Sequence, residues 1–259
     1  MYILFYLCLL CFLWFLCMSF TTYTETYQDK PKIIHLVLYS KDPVYDRMLA
    51  ITRAYYNKHK NITTIYYTYT EDIPDNYMYD KNNNMLYIKG KETMIPGVLD
   101  KTIKAFKFVI NEINDNFDYL IRSNISTIVD FSKLSNHLLK NPIDYGTSFI
   151  NTIYKGYRNK FYGINDDRFG QLSYPSGTSI IMSHRLFTEF MKYVDRIDYS
   201  VIDDVSIGFL IKTYLPQYHL YDYNNDNNDN KHDKIFFRNR KDNRMDDIQT
   251  MENIIKSIE

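Results

Sequence analysis

The sequence has few of the residues that cross-link a fold or build common catalytic motifs. Only three of its 259 residues are cysteine, and Cys8, Cys11 and Cys17 all lie in the first 20 positions. The rest of the chain can therefore form no disulfide and offers neither a cysteine nucleophile nor a Cys-ligated zinc site. Glycine is scarce at 8 residues, and no Gly-rich phosphate loop, Ser-His-Asp motif or HExxH pattern occurs. The sequence thus gives no support to a P-loop or hydrolase function.

The chain also lacks a net charge, because 31 basic residues balance 31 acidic ones. Nothing in this balance favours nucleic acid or an anionic membrane surface as a partner. Hydrophobic residues make up 45% of the chain, which is enough for the core of one large α/β domain or two small ones.

Charge is absent altogether from residues 2–20, and their number is close to the roughly 20 needed to cross a bilayer as a helix. A cleaved signal peptide would carry a basic start and small residues at its cleavage site, which residues 19–21 do not supply. We therefore interpret residues 1–20 as an uncleaved signal anchor and residues 21–31 as a short polar stem. A single-pass, type II protein of a Golgi-like endomembrane or viral-host membrane is expected, although the flanking charges do not fix its orientation.

Residues 32–259 are predicted to form one α/β domain with a mostly parallel central sheet. The continuous apolar run at residues 32–40 is typical of a strand buried on both faces. A helical pattern starting at Asp42 and a β-branched run at residues 61–70 complete a βαβ unit. Further expected elements are a polar loop at 72–84, strands near 85–89, 117–122, 145–154 and 177–183, and helices at 98–113, 185–194 and 204–214. A further helix is expected to contain Phe131, Leu134 and Leu138, with Ser126 or Thr127 as its cap. The chain is expected to end with a mobile polar loop at 222–233 and an amphipathic C-terminal helix.

Four stretches of this domain follow one another in an informative order. They read GVLDKTIKAFKFV from Gly97, FDYLIRSNIS from Phe117, YPSGTSIIMSHRL from Tyr174 and VIDDVSIGFLI from Val201. Together they resemble motifs of the β-1,3-galactosyltransferase and Fringe-like glycosyltransferases, the last stretch most closely. The resemblance implies a Rossmann-like GT-A fold and transfer of a sugar from a nucleotide-sugar donor to a glycan or glycoprotein acceptor.

The resemblance also implies roles for particular residues. Inverting transfer needs a carboxylate that takes the proton of the acceptor hydroxyl, and the family pattern places Asp204 in this role, with Asp203 orienting the reactants or binding the acceptor. Ser176 and Gly177 would lie beside the acceptor, where the missing Cβ of a glycine permits close approach. Lys101 matches the Lys-Thr pair of the first motif and is assigned to the donor side. A plainer interpretation of the paired acids is that one of them caps the following helix.

The resemblance fails at the end of the second stretch, where the family carries acids that bind Mn²⁺ or Mg²⁺. Here the corresponding positions are Asn124, Ile125 and Ser126, a weak ligand set for a hard dication. Metal dependence is therefore doubtful, and positive side chains are expected to stabilise the donor diphosphate instead. The candidates for donor binding are Arg122, Ser123, Asn124, Ser126, Lys101, His232 and Arg238, with Arg240, Lys241 and Arg244 nearby in sequence.

Two hypotheses of function remain open at this point. The retained IDDVSIG motif favours an active transferase, whereas the altered RSNIS stretch favours a GT-A-fold protein that binds a glycan or nucleotide without turning it over. The basic run at residues 232–244 also permits a plainer interpretation as a solvated surface balanced by its own acids.

Overall fold

A computed structural model describes residues 30–113, 116–223 and 234–259. Residues Pro31–Glu259 form one compact unit. The predicted anchor, nearly all of the predicted stem and the loop from residue 224 to residue 233 lie outside the described residues. Within the described ranges, no helix combines the length and apolar character needed to cross a bilayer.

An eight-stranded mixed sheet forms the centre of this unit, in the strand order β11-β7-β10-β5-β1-β2-β4-β3. Four neighbouring pairs are parallel: β1 with β2, β1 with β5, β2 with β4, and β7 with β11. Strand β10 runs antiparallel to both β5 and β7, and β3 runs antiparallel to β4. Two further strand pairs, β6–β12 and β8–β9, lie outside it. The predicted α/β class with a mostly parallel central sheet is confirmed.

The strands are β1 (Ile33–Leu38), β2 (Ile62–Thr70), β3 (Tyr77–Asp80), β4 (Met85–Lys89), β5 (Tyr119–Asn124), β6 (Thr127–Val129), β7 (Tyr145–Thr147), β8 (Ile150–Ile153), β9 (Leu172–Pro175), β10 (Ser179–Ser183), β11 (Leu220–Asp222) and β12 (Phe236–Arg238). The α-helices are α1 (Pro43–Tyr56), α2 (Gly97–Glu112), α3 (Phe131–Lys140), α4 (His184–Lys192), α5 (Asp203–Tyr214) and α6 (Arg244–Ile258). Short 3₁₀ turns occur at Lys160–Tyr162, Asp167–Phe169 and Val194–Arg196.

Helices cover both faces of the sheet, which explains why β1 and the first half of β5 are buried and mostly apolar. Leu36 of β1 faces a core that includes residues of α2, α4 and α5. Its neighbour Val37 faces a second core, built with α1, α3 and α6. Because successive side chains of a strand point to opposite faces, a strand covered on both sides buries every position, and its polar residues, such as His35, need hydrogen-bond partners.

Two local expectations are wrong, because neither a four-residue exposed edge strand nor a long-range strand pair leaves a periodic signal in the sequence. The predicted polar loop after residue 72 contains the edge strand β3, which pairs with β4. Asp130, and not Ser126 or Thr127, caps α3 by accepting a hydrogen bond from Lys133. Thr127 instead begins β6, which pairs with β12 more than 100 residues later in the chain. A pairing at that separation leaves no periodic signal in either segment.

Gly208 lets α5 pack closely against β9. A Cβ at this position would lie 2.5 Å from the Cβ of Tyr174 and 3.3 Å from its Cα, atoms that cannot move without the strand. We expect Gly208→Ala to lower the free energy of unfolding by about 1–2 kcal/mol, because overpacking outweighs the gain in helix propensity. Urea unfolding of the full chain measures the change, with Thr213→Ala on the exposed side of α5 as the control. Unchanged stability of Gly208→Ala would contradict the close packing.

Candidate active site

A cleft of about 750 Å³ opens where β1 and β5 end. Carboxyl ends of parallel strands are where ligands bind in open α/β sheets. Ser40 and Asn151 line this cleft, and most of its other polar side chains come from four segments: the end of β5 with the residues after it, the turn between β9 and β10, the start of α5, and the stretch from the end of β12 to the start of α6. The polar residues they contribute are Arg122, Asn124, Ser126, Ser176, Asp203, Asp204, Arg238, Arg240 and Arg244.

Arg122 joins three of these segments. Its side chain is only 1% exposed and forms an ion pair with Asp203 at the start of α5. The guanidinium also donates hydrogen bonds to the backbone oxygen of Gly177, to Asn124 Oδ1 at 3.1 Å and to the hydroxyl of Tyr67 at 3.3 Å. Because these bonds engage Nε and both terminal nitrogens, Arg122 serves mainly to hold β5, the Gly177 turn and α5 together.

Asp203 and Asp204 occupy the first two positions of α5, and the N-cap is Ile202, which makes no side-chain capping bond. Neither acid is therefore the N-cap that the plainer interpretation required. Asp204 Oδ2 accepts a hydrogen bond from the Gly177 amide at 3.1 Å, and Oδ1 accepts one from the Val205 amide at 2.9 Å. Both bonds orient the carboxylate at the wall of the cleft.

Desolvation in the cleft and the neighbouring charge of Asp203 raise the pKa of Asp204 to about 7. A carboxyl group with a pKa near the working pH is suited to accept a proton from a substrate and release it later. Asp204 is thus the acid whose geometry and ionisation both fit a general base.

The residues at the predicted metal position do not fit a divalent cation. Asn124 Oδ1 already accepts a hydrogen bond from Arg122, Ile125 is buried and apolar, and the Ser126 hydroxyl carries no charge. A dication here would meet a guanidinium where it needs charged oxygen ligands. In the described part of the chain, no three His, Cys, Asp or Glu side chains come together to hold a metal.

Arginines form the wall beside the end of β5. We refer to Arg238, Arg240 and Arg244, which all line the cleft, as the arginine wall. Their place is fixed by β12, in which Arg238 stands opposite Thr127 of β6, and by the Asn239 amide, which donates to the Ser126 backbone oxygen at 3.0 Å.

The members of the arginine wall differ in how far their charge is neutralised. Arg244 forms an ion pair with Asp247 and lies 5.7 Å from the ring centre of Tyr45. Arg238 and Arg240 have no ion-pair partner within the described residues. Partial desolvation and the charges of Arg240 and Arg244 lower the pKa of Arg238. Two guanidinium groups without an ion pair to any described residue thus line the cleft.

Most of the site residues predicted from the sequence come together in this cleft. Arg122, Asn124, Ser126, Ser176, Gly177, Asp203, Asp204 and Arg238 all line it. His232 lies outside the described residues.

Two predicted donor-binding residues lie away from the cleft. The Ser123 hydroxyl points to the other face of β5, since successive side chains alternate, and hydrogen bonds with His35 at 2.8 Å. Lys101 is fully buried in an ion pair with Glu92 at 2.5 Å, and its ammonium also donates to Ser40 Oγ at 3.2 Å. Neither residue therefore lines the cleft, and both hold neighbouring segments of the site in place through buried hydrogen bonds.

Sequence reasoning missed an aromatic part of the lining. Phe149, Tyr162 and Tyr174 contribute to the cleft, and Phe149 is 56% exposed although its backbone is hydrogen-bonded to Ser176 and Thr147. In a chain with 26 tyrosines and 16 phenylalanines, single aromatic residues give no signal of this role. An exposed ring on a fixed backbone offers a flat apolar surface to a ligand.

Comparisons with known proteins give a distant structural likeness. No protein-family model matches the sequence, and no curated protein is similar to it in sequence. Among solved structures, the chain is similar to a glycosyltransferase involved in the glycosylation of the major capsid of PBCV-1. The two are 12% identical, with a TM-score of 0.45 over 86% of this chain and 100% of the other.

Proposed function

We propose that the chain is a glycosyltransferase that moves a sugar, with inversion, from a nucleotide-sugar donor to a hydroxyl group of a glycan or glycoprotein acceptor. One observation carries this proposal. A single cleft contains a carboxylate with the pKa of a base, Asp204, and the guanidinium groups of Arg238 and Arg240, which form no ion pair with any described residue. Transfer from a nucleoside diphosphate sugar requires a base that accepts the acceptor's proton and a positive site that stabilises the leaving diphosphate.

In the proposed reaction, Asp204 takes the proton of the acceptor hydroxyl as its oxygen attacks the anomeric carbon. The bond between that carbon and the diphosphate oxygen breaks, and the diphosphate leaves with the electron pair. Asp203 and Arg122 do not touch the reacting atoms in this scheme. They keep α5 and the Gly177 turn in place, so that the Asp204 carboxylate stays oriented.

The acceptor is expected on the side of Ser176 and Gly177. Ser176 lines the cleft, and its backbone amide donates a hydrogen bond to the backbone oxygen of Phe149, whose exposed ring also lines the cleft. An aromatic ring beside a hydroxyl suits a sugar, which has apolar C–H faces and polar edges. The GT-A assignment and a type II membrane anchor at residues 1–20 belong to the same proposal.

A second candidate function is a protein of this fold that binds a glycan or nucleotide without catalysis. The observation in its favour is the replacement of the expected acids by Asn124 and Ser126. It predicts a ligand that binds in the cleft and leaves unchanged.

Turnover distinguishes the two candidates. The purified full chain, in a mild detergent, is incubated with UDP-, GDP- and CDP-linked sugars and with a panel of free sugars and short glycans, and nucleoside diphosphate release is measured. We expect one donor class to be consumed, and faster when an acceptor is present. If no donor is consumed with any acceptor, while a nucleotide still binds, the enzyme is excluded in favour of the binding protein.

A further inference from the structure

The cleft combines an anion site with a position where a metal does not fit. At the end of β5, the Asn124 amide oxygen already accepts a hydrogen bond from Arg122, and residues 124–126 include no carboxylate. Beside this position, the arginine wall is tied to the Ser126 backbone through Asn239. The positive charge therefore stands next to the place where the resemblance predicted a metal ion.

The charges of the wall are arranged in a way that favours a bound anion. Arg238 and Arg240 lie in the same cleft as Arg244 and Arg122, and neither forms an ion pair with an acid among the described residues. Like charges held near one another repel, and an anion between them relieves this repulsion. A guanidinium can donate two parallel hydrogen bonds to phosphate oxygens, and two guanidinium groups carry the charge of one divalent ion.

From this arrangement we infer that Arg238 and Arg240 bind the diphosphate group of a nucleotide directly, in the place that a divalent cation would otherwise take. The inference rests on the proposed function for the identity of the anion. Arg244 and Arg122 contribute to the same field but are already engaged by Asp247 and Asp203. Binding is therefore expected to need no metal ion.

Isothermal titration calorimetry of the full chain with pyrophosphate and with UDP, GDP and CDP tests this inference. Each titration is made in EDTA, in Mg²⁺ and in Mn²⁺. We expect pyrophosphate and at least one nucleotide to bind in EDTA, with an affinity that either metal changes less than about threefold. Arg238→Gln and Arg240→Gln should each weaken binding about tenfold or more, because each removes charge-assisted hydrogen bonds.

Lys241→Gln is the matched control, since it removes a positive charge from the same segment but at a residue that does not line the cleft. It should bind as the unchanged protein does. Thermal unfolding verifies that all three variants fold. Binding that disappears in EDTA, absence of binding in every condition, or equal affinity of the arginine variants would each overturn the inference.

These outcomes are separable from those of the proposed function. A chain that binds diphosphate in EDTA but consumes no sugar nucleotide retains the arginine site and loses the transferase assignment. Conversely, transfer that requires Mn²⁺ keeps the transferase and removes the inference.

Discussion

Replacement of Asp204 by Asn is expected to slow sugar transfer about 10²–10⁴-fold, the usual contribution of a positioned general base. The amide keeps the size of the side chain but cannot take a proton from the acceptor hydroxyl. Product formation at saturating donor measures the effect, and nucleotide affinity should be nearly unchanged because Asp204 does not contact the donor diphosphate in the proposed reaction.

The pH profile gives a second readout of the same residue. Because the Asp204 pKa is raised to about 7, the unprotonated base is scarce below that pH and predominates above it. The rate should therefore rise with pH through about 7 and then level off, and Asp204→Asn should lose this rising limb. Asp195→Asn, at a side chain that is 94% exposed, is the control and should retain both rate and profile. A full rate in Asp204→Asn would remove Asp204 from the mechanism.

Replacement of Arg122 by Met is expected to lower the free energy of unfolding by about 3–5 kcal/mol, since it leaves the charge of Asp203 without its partner in a buried site. Three further acceptors, Tyr67, Asn124 and the Gly177 carbonyl, lose a donor as well. Denaturant unfolding of the full chain measures the loss.

A second substitution separates charge from packing in this region. The double variant Arg122→Met/Asp203→Leu should recover most of the lost stability, because it buries no unpaired charge. Arg185→Met breaks the surface pair with Asp144, in which Arg185 is 68% exposed, and should cost less than about 1 kcal/mol. A loss for Arg122→Met no larger than that of Arg185→Met would show that the buried pair does not hold the site together.

Local patterns predicted much of the fold. The apolar run before Ser40, the Asp42 cap with Pro43 at the helix start, and the amphipathic stretch after Gly97 gave β1, α1 and α2 nearly at their observed bounds. These signals are local because burial on both faces, capping and helical periodicity each depend on neighbours within a few residues. Edge strand β3 escaped prediction, since an exposed strand of four residues has no such pattern.

For the site, the residue types came from the sequence and their grouping came from the fold. The unusual RSNIS stretch and the paired acids at 203 and 204 could be recognised in the chain itself, as could the basic run after residue 232. The sequence could not separate Arg122, which faces the cleft, from Ser123, which faces His35. Which of the two side chains faces the cleft depends on which helices pack against each face of β5, and this is decided only when the sheet and helices assemble.

What the sequence determined by itself is a Cys-free α/β domain in a chain with no net charge, a candidate base and no acids at the expected metal position. Only the tertiary structure decided that Arg122 pairs with Asp203 across 81 residues and that Arg238 stands opposite Thr127. Both contacts join segments far apart in the chain, and their energy comes from burial and charge pairing that exist only once the layers have packed.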